Sequence, residues 1–463
     1  MDHRYGDHHG TLQGIGVMAK TLTPAVATAL TTLTVMDYAG IARGRSMTRE
    51  SFDASDGPKT CGWVPANMSL TSYDIIADPN PWGSAGDLRL LADRSARYTC
   101  WPAGAATPLD LVMSDIVETD GSPWVCCPRS LLKQALKDFK AETGTEFIAS
   151  FEQEFQVLGA NWPLAPSFAV SALRRADPFG PDIVAALTQA GIEPEIFVAE
   201  YGRDQFEITT PPLNGLVAAD RALVIREVVR EIAMHRGWRA SFSPKTTVDG
   251  VGNGVHIHFS FTGRNRKPAA FDAKAPGRMS KLAGAFTAGV LKHLPALIAF
   301  TAASPISGLR LKPHNWSSSY TWLGERDRES SLRICPTVTI GGKDPAKQFN
   351  IEFRAADATA SPHLSLAVLI MAGLKGIRAK LAAPPIFSGD PDKLSASERD
   401  RLGLIRLPDT LEAALDCLTA DKVVSGWFAP MALETYFGMK RMELKLSSGQ
   451  SPDELCQRYA AIY

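Results

Sequence analysis

The chain has 463 residues, with 49 Lys and Arg against 49 Asp and Glu, so its formal net charge is zero. That length allows about two to four average domains, or one large catalytic domain with a smaller companion, and the charge balance gives no basis for a nucleic-acid or membrane-surface partner. The seven cysteines form no CxxC pair and no regular framework, which reads as reduced thiols in a cytoplasmic protein, and fully apolar runs such as LAVLIMA near Leu366 are too short to span a bilayer.

In chain order, MDHRYGDHHG is polar and His-rich, and residues 1–20 are expected to be disordered. LTPAVATALTTLTV, after Lys20, faintly resembles a secretory apolar region. It is studded with Thr and runs into MDYAGIARGR without a small-residue cleavage site, which argues against a leader. Residues 21–122 read as short strands and turns: TTLTVMDYAG opens them, DGPKTCGW and NPWGSAGD are expected loops, and SDIVETDGSP an expected hairpin. The texture changes at residues 121–123, so a boundary is placed there, with 123–463 as a second domain. PRSLLKQALKDFKAE carries Leu132, Ala135, Leu136 and Phe139 at helical spacing, with Pro128 in the first turn. ADRALVIREVVREIAMHRG repeats the pattern at Ile225, Val228, Val229 and Ile232 and is expected to end at Gly237. LSLAVLIMAGLKGIRAKL is a third, more apolar helix. Strands lie between these helices without a strict βαβ rhythm, which favours an α+β fold with an antiparallel sheet.

The strands carry an unusual polar face. In EFIASFEQEFQVLG, alternation puts Glu152 and Glu154 on one face and Phe151, Gln153 and Phe155 on the other. Two carboxylates about 6–7 Å apart along a strand repel, and partial burial strengthens the repulsion. GVHIHFSF places His256, His258 and Ser260 opposite Val255, Ile257 and Phe259. FNIEFRA places Asn350, Glu352 and Arg354 opposite Phe349, Ile351 and Phe353, and AEYGRDQFEITT adds Glu200, Gln205 and Glu207. Taken singly, each strand fits an antiparallel sheet with one solvated face. Taken together, Glu, His, Gln and Arg in place of Lys and Thr read as a ligand set. If the strands share one sheet, each close carboxylate pair costs a few kcal/mol at an effective dielectric near about 20, a cost that divalent cations remove. Oxygen-rich ligation with added imidazole suits Mg²⁺ or Mn²⁺ better than Zn²⁺.

These segments resemble the glutamine synthetase family of ATP-dependent ligases. FEQEF is similar to the family's E-x-E strand, EYGRDQFEI to its E-x-x-G-x-Q-x-E segment, and PKTTVDGVGNGVHIHFS to its K-P…N-G-x-G-x-H-x-H-x-S segment. RDRESSLRI and IEFRAADATASPHLSLAVLIMAGLKGI follow in the family's order, and the likeness runs from about Asp37 into the C-terminal region. The resemblance implies a small β-grasp-like domain followed by a large catalytic domain with a curved antiparallel sheet backed by helices. It implies that Glu154, Glu200 and Glu207 hold a first cation, and that Glu152, His256 and Glu352 hold a second against the nucleotide. Glu207, His258, Ser260, Arg328 and Arg333 would lie about ATP. Gly252, Arg310, Trp316 and Arg354 would line the substrates. Asp37, Arg310 and Arg328 would act in catalysis, Asp37 from a neighbouring subunit as acceptor of the amine proton. ATP, glutamate and an amine would be the substrates, Mg²⁺ or Mn²⁺ the cofactor, and a homo-oligomeric ring, commonly stacked in two layers, the assembly.

The chain departs from the family pattern at several places. Trp316 stands where glutamine synthetases carry a flap glutamate that helps to hold ammonium, and RLKPHNWSSSYTWLGERDRE shows no carboxylate before Glu325. An indole there offers an apolar or cation–π wall to an organic amine, or else it only packs the loop. Val251 replaces an expected Asn, Asp327 precedes Arg328 where Asn is usual, and no adenylylation Tyr precedes IRLPDTLEAAL. The expected activity is a γ-glutamyl-amine ligase acting through a γ-glutamyl phosphate. A true glutamine synthetase is the alternative, and a non-catalytic structural relative is the alternative from another class.

Overall fold

The computed structural model describes residues 27–463. The expectations for residues 1–20, and for the leader-like stretch as far as residue 26, lie outside the described residues, while the end of that stretch is a strand. Five strands build a first sheet: β1 (Leu30–Met36), β2 (Ala42–Thr48), β3 (Thr60–Trp63), β4 (Leu88–Cys100) and β5 (Leu109–Val117), in the order β2-β1-β5-β4-β3. β1 and β5 run parallel at its centre and the other pairs are antiparallel. The expected loop DGPKTCGW supplies β3, because Trp63 is buried opposite Leu88 and long-range pairing overrides the local turn residues. SDIVETDGSP does form a tight hairpin, closed by a bridge between Val117 and Pro123 with Gly121 at φ +89°.

The helix Pro128–Thr143 follows, with Pro128 in its first turn and Gly144 ending it at φ +67°. Behind it lies a nine-stranded sheet made of β6 (Glu146–Leu158), β7 (Ile196–Ala199), β8 (Gln205–Thr209), β9 (Leu213–Asn214), β10 (Arg239–Ser241), β11 (Val255–Thr262), β12 (Leu323–Glu325), β13 (Leu332–Ile334) and β14 (Ile351–Phe353). The order is β12-β13-β14-β11-β6-β8-β7, with β9 and β10 also on β6. Every pair is antiparallel except β12 with β13, two three-residue strands at one edge, so the sheet is mixed and not purely antiparallel.

Helix Gly215–Met234 joins the first helix on the apolar face of this sheet, Lys281–Thr301 reaches that face through Phe286, and Pro362–Arg378 packs against these three helices. Phe147, Phe259 and Phe261 from β6 and β11 meet Phe139 and Phe286 from two of these helices, with ring centroids 5.0–6.0 Å apart. The helix expected to end at Gly237 stops at Met234, and Gly237 sits three residues on at φ +72°. Lys281–Thr301 has no counterpart among the expected helices: apart from Lys281, Lys292 and His293 it is almost wholly apolar and it contains Pro295, so it lacks the one-sided period that marks a surface helix. Its length and hydropathy would let it cross a bilayer, yet it is mostly buried inside the protein. It crosses Pro362–Arg378 closely, since a Cβ on Gly289 would lie 2.3 Å from the Ala372 carbonyl oxygen.

One buried ion cluster fastens the first sheet to the helices. Arg129, 4% exposed, donates to Asp220 (2.8 and 2.9 Å), to Asp93 of β4 (2.9 Å) and to Asp115 of β5 (3.2 Å). His363 Nε2 lies 2.8 Å from the same Asp220. All seven cysteines are unpaired.

Candidate active site

The registers of five adjacent strands create the site. Glu152 of β6 faces His256 of β11, His258 faces Glu352 of β14, Glu352 faces Arg333 of β13, and Glu154 faces Glu207 of β8. Directly opposed residues point to the same side of a sheet, so the alternation read in each sequence becomes one shared polar face. Phe151, Gln153 and Phe155 are all buried on the other side. There Arg226, fully enclosed, donates to Gln153 Oε1 at 3.2 Å and to the carbonyl of Ala358 at 3.0 Å.

Glu152, His256, His258 and Glu352 draw together tightly. His256 Nδ1 is 3.0 Å from Glu152 and 3.5 Å from Glu352, and His258 Nε2 is 2.9 Å from Glu152 and 4.0 Å from Glu352. Glu152, His258 and Glu352 each offer an atom within reach of a single shared ion. Asn350 Oδ1 lies 2.9 Å from His258 Nδ1, an arrangement that leaves Nε2 facing the carboxylates. The sequence placed His258 beside ATP and His256 on the cation; both imidazoles reach the same carboxylates.

Charge in this group is unbalanced on one flank. Burial, together with the charges of Glu152, Glu154 and Glu200, pushes Glu207 up to about 9. Burial and Glu154 likewise raise Glu200. Burial also works against ionisation of Glu352, yet Arg354 and the two histidines hold it down at about 2. Four carboxylates that push one of their own members neutral form a site suited to a hard cation, and the imidazoles widen the choice to Mn²⁺. Residues Glu154, Glu200 and Glu207, then Glu152, His256, His258 and Glu352, are those that could hold such ions.

The four arginines surround this group in different ways. Arg333 Nη1 donates to Glu352 Oε2 at 2.8 Å. Arg354 donates to Glu352 Oε1, to the Arg328 carbonyl at 2.9 Å and to the Trp316 carbonyl at 3.0 Å. Arg310 is buried, donates to the Ala356 carbonyl at 2.7 Å, and its Nε finds no partner among the described residues. Arg328 is exposed and acts on Glu200 as a nearby positive charge. Gly252 lies against Arg310, where a Cβ would come 2.6 Å from its Cγ, so this glycine is required by close approach. Gln205 braces the same loop, donating to the Gly252 carbonyl (2.9 Å) and to Asn253 (2.8 Å). The Gly254 N–H donates to Glu154 at 2.6 Å. Ser260 donates to the Phe349 carbonyl at 2.7 Å, at the far end of β11.

Asp37, expected in a neighbouring subunit's site, is 1% exposed and within its own chain accepts from Arg43 Nε (2.7 Å) and the Ile41 N–H (2.8 Å) in the turn between β1 and β2. The loop around Trp316 does have a carboxylate. Glu329, which lies thirteen residues further along the chain, folds back so that its oxygens accept the N–H of Trp316 (2.5 Å) and of His314 (3.0 Å). Its place directly after Arg328 was visible in RDRE, but chain distance hid the contact. Trp316 itself is 71% exposed, so it is not packed into the protein. Both His314 and Trp316 sit in the left-handed region, at φ +63° and +53°, which costs roughly 1–3 kcal/mol for each and persists only where neighbours fix it.

A small mixed-sheet domain followed by a large sheet whose one face gathers carboxylates, imidazoles and arginines defines a class: enzymes that bring divalent cations to an anionic substrate. The sequence matches the model for the glutamine synthetase N-terminal domain over residues 13–124 and that for the glutamine synthetase catalytic domain over residues 125–459. The chain belongs to the glutamine synthetase family and is an ATP-dependent carbon–nitrogen ligase. It is 32% identical to the gamma-glutamylpolyamine synthetase GlnA3 of Streptomyces coelicolor over 448 residues, 93% of either chain. It is 32% identical to a glutamine synthetase of Methanocaldococcus jannaschii over 343 residues, 72% of this chain and 74% of that one. Among solved structures, a crystal structure of a novel glutamine synthase homolog superposes with a TM-score of 0.87 at 43% identity, over 96% of this chain and all of that one. GmaS bound to ADP shares the fold, with a TM-score of 0.76 at 22% identity over 92% and 95% of the two chains.

Proposed function

We propose that this ligase joins the γ-carboxylate of glutamate to an organic amine or polyamine, with ATP as the driving reagent. The observation that carries this reading is Trp316: an exposed indole on a loop whose carbonyl is held by Arg354, the same arginine that holds Glu352. The nearly full-length likeness to a gamma-glutamylpolyamine synthetase supports it. A carboxylate is a poor acyl donor because its leaving group would be oxide. Transfer of the terminal phosphoryl of ATP to glutamate gives an acyl phosphate and ADP; the amine nitrogen then forms the amide bond as phosphate leaves. Bound Mg²⁺ or Mn²⁺ would neutralise charge on the transferring phosphoryl group. Arg310 and Gly252 line the glutamate side, Arg328 and Arg333 supply positive charge near the phosphates, and Trp316 gives the amine an apolar or cation–π wall. His258 and Ser260 lie along the strand assigned to ATP.

The amine must lose a proton to attack, and Asp37, remote from its own chain's carboxylates, fits a role in a second subunit's site within a ring of copies. The unpaired cysteines fit a cytoplasmic setting. The test is phosphate release from ATP with glutamate, Mg²⁺ or Mn²⁺, and a panel of mono-, di- and polyamines beside ammonia. Stimulation by organic amines supports the reading. Stimulation by ammonia alone makes the protein a glutamine synthetase, and no stimulation by any acceptor removes the ligase reading.

A further inference from the structure

The loop 313–317 is held in an unusual way. Among the described residues, none of its backbone groups pairs with another main-chain group. Three side-chain contacts hold its main chain in place: the His314 and Trp316 N–H groups on the Glu329 carboxylate, and the Trp316 carbonyl on Arg354. On one side it borders a cavity of about 410 Å³ lined by Leu309, Lys312, Pro313, His314 and Asp392, so packing from that side is thin. Glu329 is itself fixed, since its N–H donates to Asp327 Oδ1 at 2.9 Å and the next hydroxyl, that of Ser330, donates to the Asp327 carbonyl at 2.7 Å.

We propose that Glu329 is a positioning residue: by accepting both N–H groups it holds the loop in its left-handed turn and so sets the wall that Trp316 presents to the acceptor amine. The inference rests on the ligase reading above for its acceptor half, while the clamp itself stands on geometry. A carboxylate suits the task because its two oxygens can each take one N–H, and charge-assisted hydrogen bonds are stronger than neutral ones. An amide keeps one acceptor oxygen and adds donors that meet the second N–H unfavourably. The role does not require Glu329 to touch substrate.

The experiment compares the full-length protein with Glu329→Ala, Glu329→Gln, Glu329→Asp and Trp316→Ala, alone and combined. Amide exchange is followed in peptides covering residues 311–319, and steady-state kinetics with the best amine of the panel. In Glu329→Ala, exchange at these amides speeds up and the KM for the amine rises about tenfold, with a smaller change in kcat and an unchanged KM for ATP. Glu329→Asp recovers part of both effects. In the Trp316→Ala background, Glu329→Ala adds less than about twofold to the amine KM, because the effect runs through the indole. Unchanged exchange in Glu329→Ala overturns the clamp. Faster exchange with an unchanged amine KM, or full additivity with Trp316→Ala, overturns the positioning role. If the wild-type protein turns over no amine, the acceptor half falls with the ligase reading, and the exchange result still decides the clamp.

Discussion

Glu207 shows how far individual side chains here are held from their solution behaviour. Pushed up to about 9, it carries a proton in the folded protein at neutral pH that it would lose on unfolding, where carboxylates titrate near 4.5. Folding without cations is therefore disfavoured by this group above its unfolded pKa, and the penalty stops growing as pH rises through the folded value. Glu207→Gln should leave stability without metal equal or higher at pH 7, by chemical denaturation, while Mg²⁺ or Mn²⁺ affinity drops about tenfold or more in a calorimetric titration, because ligand charge sets affinity. A variant that binds the ions as before would remove Glu207 from the cation group. Trp316→Glu should raise ammonia use relative to organic amines; an unchanged ratio would mean that the indole does not face the acceptor. The residues of this site could be read from sequence wherever chemistry follows strand alternation: Glu152, Glu154, Glu207, His256, His258 and Glu352 share a face because the period of a strand is two. Glu329 could not be read, since its contact with Trp316 depends on how a turn folds back, and Asp37 was placed by analogy with a subunit junction that a single chain does not contain.

Among the larger pieces, the helices split in the same way. Pro128–Thr143, Gly215–Met234 and Pro362–Arg378 carried apolar spacing, a first-turn proline or a buried face that the sequence displays. Lys281–Thr301 did not, because a helix buried over most of its length has no continuous polar face to define its period. Its crossing depends on backbone approach, so Gly289→Ala should cost roughly 1–3 kcal/mol by overpacking against the Ala372 carbonyl. The Arg129 cluster joins two strands of the first sheet to three helices. Arg129→Ala would leave Asp220, 1% exposed, with the His363 imidazole as its remaining side-chain partner among the described residues, and should destabilise the protein by about 3–5 kcal/mol in denaturant titrations. A loss below about 1 kcal/mol would show that the cluster is not desolvated as its burial implies.

For the protein taken entire, acid and metal should pull stability in opposite directions. Asp110 in β5 is opposed by burial, yet Arg97, Thr31 and Thr99 lower it from 3.8 to about 2. A depressed carboxylate contributes stability that is present above about pH 4 and is lost as pH falls through about 2, worth on the order of 1–2 kcal/mol. Asp110→Asn should therefore be less stable than wild type at pH 7 and converge with it near pH 2; a constant gap across that range would assign the effect to hydrogen bonding alone. Divalent ions that bind only the folded state should add about 2.7 kcal/mol at one hundred times their dissociation constant. The fold class was evident from sequence because strands and helices alternate without βαβ rhythm. The parallel neighbours β1 with β5 and β12 with β13 were not, because direction depends on which distant strands meet.

The two faces of β6 have a last consequence, for tolerance of insertions. Its carboxylates and its phenylalanines occupy alternate positions of a single thirteen-residue strand, so one added or deleted residue would exchange chemistry and core at every later position. Length variation accepted in the largely exposed stretch 163–168 should abolish folding when moved into 149–155, even if the added residue is alanine, and soluble yield across such a scan would reveal the difference.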